Sequence, residues 1–566
     1  MSFVRIRLLA SIALSAVPAA VVAGQALPLK HAPQPTAPAI TAADLMTRLY
    51  IFADDSMMGR EVGTPYNLKG TAYIEGEVRR LGLVPAGDSG TYFQNLPVFS
   101  HPLAAGNTIG VDGRTFKAAQ DYIPRNNMVF GKVRPFDGAE VIYGGVYSPA
   151  GDTSTMVSPL AAVGKFVVIS VPNGPDGKPI WGQNRQQLTG YYLRSAGVAV
   201  ASMDAIDAAS RASITDDGQT LDTDDPNALV VPAFMYVSTA MAEALAGAPL
   251  RSLARGAAGR TIHGTLKWDD VKAPGRNVVA ILPGSDPKLK GEYVAIGAHN
   301  DHIGFNHTPV DHDSLRAFNS VVRPKGADDR DRPATADEMA KIRVVLDSLR
   351  RVHPARLDSI YNGADDDGSG TVSVLEIAEA FAKAPAKPKR SLLFVWHAGE
   401  EKGLWGSQYF TDHPTVPRDS IVAQLNMDMV GRGGAQDEKG GGPGYLQLIG
   451  SRRLSTELGD LVESVAKTEP PPLHFDYQYD ANGHPQQYYC RSDHYEYARY
   501  GIPITFFSTG GHRDYHQVTD EPQYIDYDQM ARVANLVHDV AARVANLDHR
   551  VVVDHPKPDP KGQCVQ

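Results

Sequence analysis

Apolar residues recur along this chain at two spacings, and the places where one gives way to the other mark its parts. Residues 41–83 read "TAADLMTRLYIF" and then "NLKGTAYIEGEVRRLGL", with apolar positions at helical intervals and Gly82 as a stop signal. "GTYFQNLPVFS" reads as strand. Between 126 and 266 the texture changes to short runs, "KFVVISVP" and "GVAVASMD", with a helical stretch, "RQQLTGYYLRSA", between them. The polar run "SITDDGQTLDTDDPNA" reads as a surface loop. No acid–base or metal-binding cluster stands out in this segment, which is expected to be a second domain inserted into the first.

From residue 276 onward the mostly apolar runs "RNVVAILPG", "EYVAIGAH", "RSLLFVWHAGEE", "IVAQLNMDMVG" and "IPITFFSTGG" alternate with helical stretches such as "TVSVLEIAEAFAKA". Strands covered by helices on both faces give such continuous runs, so the pattern predicts an α/β fold with a mostly parallel central sheet. Each of the last four runs ends in, or just precedes, a His, Asp or Glu. In open α/β sheets ligands bind beyond the carboxyl ends of the strands, which predicts that these polar residues converge. The excursion 306–361 contains "TADEMAKIRVVLDSLRRVH", where Thr335 and Glu338 make a capping box and Ile342, Val345, Leu346 and Leu349 an apolar stripe. It leaves from one polar strand end and returns at an acidic motif. It is therefore expected at the cleft rim, either as a lid or wall limiting substrate length or as a surface elaboration.

The remaining features change this picture in places. The formal net charge of −9 over 566 residues argues against a nucleic-acid partner. The 53 Gly and 40 Pro suit a fold rich in turns rather than a helical bundle. "MSFVRIRLLASIALSAVPAAVVAGQA" has Arg5 and Arg7 before a short apolar run and small residues before Gly24. It reads as a cleaved secretory signal over 1–23, with a secreted or periplasmic product and no stable membrane insertion after its removal. Residues 24–40 read as a disordered Pro/Ala linker, and 551–566 as a C-terminal tail. Cys490 and Cys564 are the only cysteines; export permits a disulfide between them, and the sequence leaves the pairing open.

The chemistry lies at the strand ends. His299 closes "EYVAIGAH", and Asp301 is placed to accept a proton from its ring. Glu400 and Glu401 are neighbours on an extended chain, so one can bind a metal while the other faces elsewhere in the cleft. Asp428 sits in "NMDMVG", where an unpaired interior carboxylate is costly. His516 lies in "GHRDYHQVTDEP". Singly, these have ordinary readings as hydrogen-bonded loop residues or a solvated pair. Together they imply a hard or borderline metal held by N and O ligands, most naturally zinc.

One stretch offers a rival metal. "NGADDDGSGTVSVLE" (362–376) places Asp365, Asp367, Ser369, Gly370 and Glu376 at the first, third, fifth, sixth and twelfth positions of a calcium loop. Pro354 and Asn362-Gly363 interrupt the entering helix that such a loop needs, no second loop exists, and Asp366 is left without a role.

The ordered motifs "GAHNDHIG", "NGADDDGSG", "HAGEEKGLWGS", "NMDMVG", "RSDHYEYARYGIP" and "DYHQVTDEP" resemble those of the co-catalytic di-zinc exopeptidases, both secreted bacterial aminopeptidases and glutamate carboxypeptidases with a protease-associated insert. The resemblance covers most residues after Arg276 and extends to "SMMGREVGTPYNLKGTAYIEGEVRRLGL". It implies the zinc exopeptidase fold for 41–125 and 267–550, with 126–266 as a β-rich protease-associated insert. It implies two zinc ions: His299 and Asp428 on one, Glu401 and His516 on the other, and Asp366 bridging. Glu400 would be the general base acting on a water between the metals, Asp301 the residue orienting His299, and Tyr489, next to Tyr488, an oxyanion donor. The implied activity is removal of N-terminal residues from peptides. Alternatives are a carboxypeptidase gripping a C-terminal carboxylate through Arg491, a single-zinc glutaminyl-cyclase-like enzyme, and a non-catalytic ectodomain. Oligomeric state and preferred residue stay open.

Overall fold

A computed structural model describes residues 27–566 except 149–151, 175–176, 181–184, 208–210, 212–217, 223–228, 331, 353, 433–440 and 469–471. The expected signal over 1–23 lies outside the described residues, as does most of the polar run 213–228.

The apolar runs form one mixed sheet. Tyr293–His299 lies parallel to both Ser391–His397 and Ile421–Met427, and Ile421–Met427 is parallel to Ile504–Ser508. Arg276–Leu282 is antiparallel outside Ser391–His397, and Tyr445–Ile449 is antiparallel outside Ile504–Ser508. Successive side chains on a strand face opposite ways, which explains why continuous apolar runs were needed. Leu392, Phe394 and Trp396 pack with the helices Ala42–Phe52, Gly370–Lys383 and Tyr527–Ala545. Leu393 and Val395 pack the other way, with Phe410 of Trp405–Asp412 and Tyr495 and Tyr497 of His494–Ala498.

A second sheet has cores of its own. Its strand order is Arg114–Lys117, Thr108–Val111, Ala258–Gly264, Ala139–Val146, Phe166–Ser170, Gly197–Ala201, Ala233–Val237 and Tyr122–Arg125. Strands from 108 to 125 therefore sit in the second sheet, ahead of the expected change at 126. The polar-run residues Gln219–Leu221 form a strand, which with Val271–Ala273 flanks Val98–Ser100 where the chain passes between the two units.

The linker 24–40 was expected to be disordered. Its described part, from residue 27, is instead tied down. Thr36 Oγ1 donates to Glu379 (2.7 Å), Lys30 pairs with Asp54 (2.9 Å) and the Ile40 carbonyl accepts from Asn535 (3.3 Å). Its lack of periodicity reflects a strap running over helices, which needs no amphipathic pattern. The tail is also fixed. Cys490 and Cys564 form a disulfide, and the Gln566 side chain accepts from the Tyr489 amide and donates to the Tyr479 carbonyl. Among the described residues, no helix is long and apolar enough to cross a membrane.

The 306–361 excursion is a two-helix hairpin on a small ribbon, Phe305–Asp311 against Leu357–Ile360. The helices His312–Val322 and Ala336–Val352 pack the stripe Ile342, Val345, Leu346 and Leu349 against Ala317 and Val322. The capping box forms as read, with the Thr335 amide on Glu338 (2.8 Å) and the Glu338 amide on Thr335 Oγ1 (3.3 Å).

Candidate metal centre

His299 ends its strand with its backbone pinned. Its amide donates to Asp367 Oδ2 (3.0 Å), and its carbonyl accepts from Thr371 (2.5 Å). The following turn carries Asp301, and its backbone carbonyl stands 3.1 Å from His299 Nδ1, whereas its carboxylate is 3.7 Å away. That carboxylate instead accepts from the amides of Gly399 (2.8 Å) and Glu400 (3.2 Å), so Asp301 fixes the turn that presents the glutamates. The orienting contact to the ring thus comes from the Asp301 main chain, because the strand-end turn aims the side chain across to the neighbouring strand.

The three aspartates of "ADDDGSG" are sorted by their partners. Asp365 Oδ1 accepts from the Gly431 amide (2.7 Å), and its other oxygen faces His512 (3.1 Å). Asp367 accepts from Gly370 (2.9 Å), Met429 (3.2 Å) and His299. Both are spent on holding strand ends together, and only Asp366 turns into the cleft. The Asp520 carboxylate receives the amides of Asp365 and Asp366 from beneath. A Cβ at Gly370 would sit 2.2 Å from the Met427 carbonyl and 2.3 Å from Asp367, so only glycine lets this helix start so close to the sheet. Glu376 pairs with the buried Arg48, leaving the calcium template without its twelfth ligand.

Asp366 stands between two histidines. Its Oδ1 is 3.1 Å from His299 Nε2, and its Oδ2 is 3.0 Å from His516 Nε2. Asp428 Oδ1 lies 3.8 Å from His299 Nε2, and its other oxygen accepts from Ser492 (2.7 Å). Glu401 Oε2 is 2.9 Å from His516, while Glu400, facing the other way, is 3.9 Å from His299. The structure therefore gathers His299, Asp366, Glu401, Asp428, His516 and Glu400 into one cleft. Two overlapping groups could each hold an ion: His299, Asp366 and Asp428; and His302, Asp366, Glu401 and His516.

His302 escaped the sequence reading. Its Nδ1 is 2.6 Å from Glu401 Oε1 and 3.8 Å from Asp366. The signal was present as the second histidine of "HNDH", but a histidine just past a strand end has many ordinary uses. Arg60 was missed too. Fully buried, it donates to the carbonyls of Asn362 (2.6 Å) and Gly363 (2.9 Å), bracing the turn ahead of Asp366. Burial pulls its guanidinium down to about 10 despite nearby Asp301 and Asp520.

The electrostatics call for cations. Burial first, and then Asp428 and Glu401, push Glu400 well above the usual carboxylate range, with His299 opposing. Burial alone would lower His516, but Glu401 and Asp366 outweigh it and push the imidazole up to about 11. The Nε2 atoms of His299 and His302 are buried with no hydrogen-bond partner. The orphaned His299 nitrogen faces the carboxylates of Asp366 and Asp428, and an imidazole nitrogen so placed is a donor that a zinc ion satisfies.

Tyr489 does not reach this cleft. It is buried, packs beneath Arg453 (4.2 Å to the ring centroid) and lies near Tyr495. Tyr488 lines the cavity in its place, because the short turn Tyr488–Cys490 sends one tyrosine to the cavity and its neighbour into the core. The cavity above Asp366, Glu400 and Asp428 measures about 340 Å³, and Leu404, Met429, Phe506 and Tyr515 contribute to its walls.

Residues 277–541 match the model of peptidase family M28. Among curated relatives, leucine aminopeptidase 1 of Paracoccidioides brasiliensis (strain Pb18) is 31% identical over 185 residues, which is 31% of this chain and 44% of that protein. Leupeptin-inactivating enzyme 1 of Streptomyces exfoliatus is 41% identical over 80 residues, 14% of this chain and 18% of that one. The chain thus spans half or less of the length of these two relatives. Among solved structures, an aminopeptidase from Aneurinibacillus sp. strain AM-1 covers 91% of this chain and 97% of its own, at 17% identity and a TM-score of 0.47.

Proposed function

We propose, from the premise that residues 277–541 belong to peptidase family M28, that this chain is a di-zinc exopeptidase removing N-terminal residues from peptides. The observation that carries the reading is the split Asp366 carboxylate, one oxygen toward His299 and the other toward His516. His299 and Asp428 would hold one zinc, Glu401 and His516 the other, with Asp366 shared and His302 beside Glu401. When bound, the ions supply Lewis acidity and lower the pKa of water. Glu400, whose proton affinity burial has raised, takes the proton of the attacking water and passes it to the departing amine nitrogen. Asp301 holds the Glu400 amide and so fixes where that carboxylate stands. Tyr488, which lines the cavity, would supply the hydroxyl that meets the carbonyl oxygen as charge develops on it.

The aminopeptidase direction is supported by Arg491. As a grip for a C-terminal carboxylate it would have to be free, but it is engaged by Asp328 (3.2 Å). The acidic cleft floor suits a free α-ammonium, and a relative named leucine aminopeptidase agrees. The Cys490–Cys564 bridge suits a secreted or periplasmic product, and the second unit is proposed as a protease-associated domain inserted in the peptidase. Aminoacyl-anilides and N-blocked peptides, assayed with and without a chelator, test the reading. Chelation should abolish turnover, and blocking the amine should abolish it too. Retained activity on N-blocked peptides would point to the carboxypeptidase, and a stoichiometry of one tightly bound zinc to the cyclase-like alternative.

A further inference from the structure

Among its described residues, the hairpin 306–361 reaches the cavity through a single side chain. Its inter-helix turn is knitted to the loop that carries His516. The Ala327 amide donates to the Tyr515 carbonyl (3.1 Å), and Gly326, at φ +57°, lies where a Cβ would be 2.5 Å from that same oxygen. The helix His312–Val322 adds Arg316 on Asp514 (2.8 Å) and Asn319 on the Arg513 carbonyl (3.2 Å). The hairpin is therefore a docked wall, and from this wall Asp328 enters the cavity lining.

Asp328 does not enter as a free charge. Its two oxygens face the two terminal nitrogens of Arg491, at 3.2 and 3.4 Å. Arg491 also contacts the Tyr515 hydroxyl (3.2 Å) and lies over the Tyr488 ring (5.3 Å to the centroid). These two tyrosines hold the guanidinium on the cavity wall whether or not Asp328 is charged. The cavity lining also includes the apolar Leu404, Met429 and Phe506. A paired carboxylate and guanidinium present little net charge, whereas either alone would dominate a partly desolvated wall.

We propose that Asp328 is a specificity-determining residue. By neutralising Arg491 it keeps the cavity selective for an uncharged, apolar N-terminal side chain, and its loss would open the cavity to acidic ones. This rests on the aminopeptidase reading above. Specificity of this kind works by rejection as much as by attraction, since an unpaired charge facing the wrong side chain is what discriminates.

The test compares kcat/KM for leucine and glutamate p-nitroanilides in the zinc-loaded full chain. Asp328→Asn should raise the glutamate-to-leucine ratio about tenfold or more, the scale of one well-placed charge. The double variant Asp328→Asn with Arg491→Gln should return the ratio to the wild-type value. Simple loosening of the wall would lower both substrates together and leave the ratio unmoved, so a ratio unchanged in Asp328→Asn, or raised equally in the double variant, overturns the proposal. If Asp328→Asn does not fold, Arg491→Gln alone should raise the lysine-to-leucine ratio by exposing Asp328, and no change there overturns it equally. A wild-type chain that cleaves neither anilide but trims N-blocked peptides would instead sink the aminopeptidase reading, and this inference with it.

Discussion

At the scale of single residues, the roles divide between groups that face the cleft and groups that hold them there. Glu400→Gln keeps the shape of the side chain and removes its basicity. Turnover should fall by roughly 10²–10⁴-fold, the usual worth of a positioned base, while zinc content measured by atomic absorption stays at the wild-type level. Near-full turnover would remove Glu400 from the mechanism. The neighbouring tyrosines separate as sharply: Tyr488→Phe should lower kcat, and Tyr489→Phe, outside the cavity lining, should leave it close to wild type. His494 offers a test by pH. It is buried against Phe506 (4.6 Å between ring centroids), and burial pulls its imidazole down to about 3 from the ordinary 6.5. Between those values the unfolded chain binds the extra proton, so stability rises with pH there and is lost as pH falls below about 6.5. Denaturant titrations of His494→Phe should show a pH slope shallower by about 1 kcal/mol per pH unit across that window. His299, Glu401, Asp428 and His516 were legible because each ends or follows an apolar run, and strand ends in such sheets converge; Asp366 lies in a polar turn and was implied only by the resemblance of its motif. Tyr488 and His302 were not, since the direction of a tight turn is set by tertiary contacts: the Cys564 bridge and Gln566 for the one, Glu401 for the other.

At the scale of elements, the loop bearing His516 is the least self-sufficient part of the centre. It has no helix or strand of its own at the ligand, and His516 sits at φ +53°, a conformation uncommon for a residue with a Cβ. What fixes the loop is Asp514, fully buried and gripped by Arg316 from the hairpin and Arg432 from beyond the Asp428 strand. Burial would raise its carboxyl, but the two guanidinium groups hold it down at about 2. Asp514→Asn removes the carboxylate with which both Arg316 and Arg432 pair and loosens the approach of His516. Zinc affinity, measured by competition with a chromophoric chelator, should weaken by about 10–100-fold, as for other residues that orient a ligand without touching metal. Unchanged affinity would mean that the loop is held by its other contacts. The apolar stripe on the hairpin was readable from spacing alone. Its burial partner was not, because periodicity shows that a face must be covered and never by what; here the answer is the adjoining helix of the same hairpin.

At the scale of the whole molecule, the metal centre and the second unit have separate supports. The candidate ligands come from residues 299 to 516, carried by the central sheet, whose cores are distinct from those around the eight-stranded sheet. A ligand that binds only the folded state stabilises the unit whose folding builds its site, by RT ln(1 + [L]/Kd), or roughly 2.7 kcal/mol at a hundredfold excess over Kd. Zinc should therefore be linked to the unfolding of the unit built on the central sheet alone. Scanning calorimetry of the full chain should resolve a transition that falls by at least about 2–4 °C when the metal is stripped, with a second transition that does not move. Two transitions moving together, or one merged transition in both states, would show that the three-stranded junction through Val98–Ser100 couples the units strongly enough to make them unfold as one. The sequence announced a change of texture between the units but not the strength of that coupling, because the junction strands are only three residues long and carry no pattern to read.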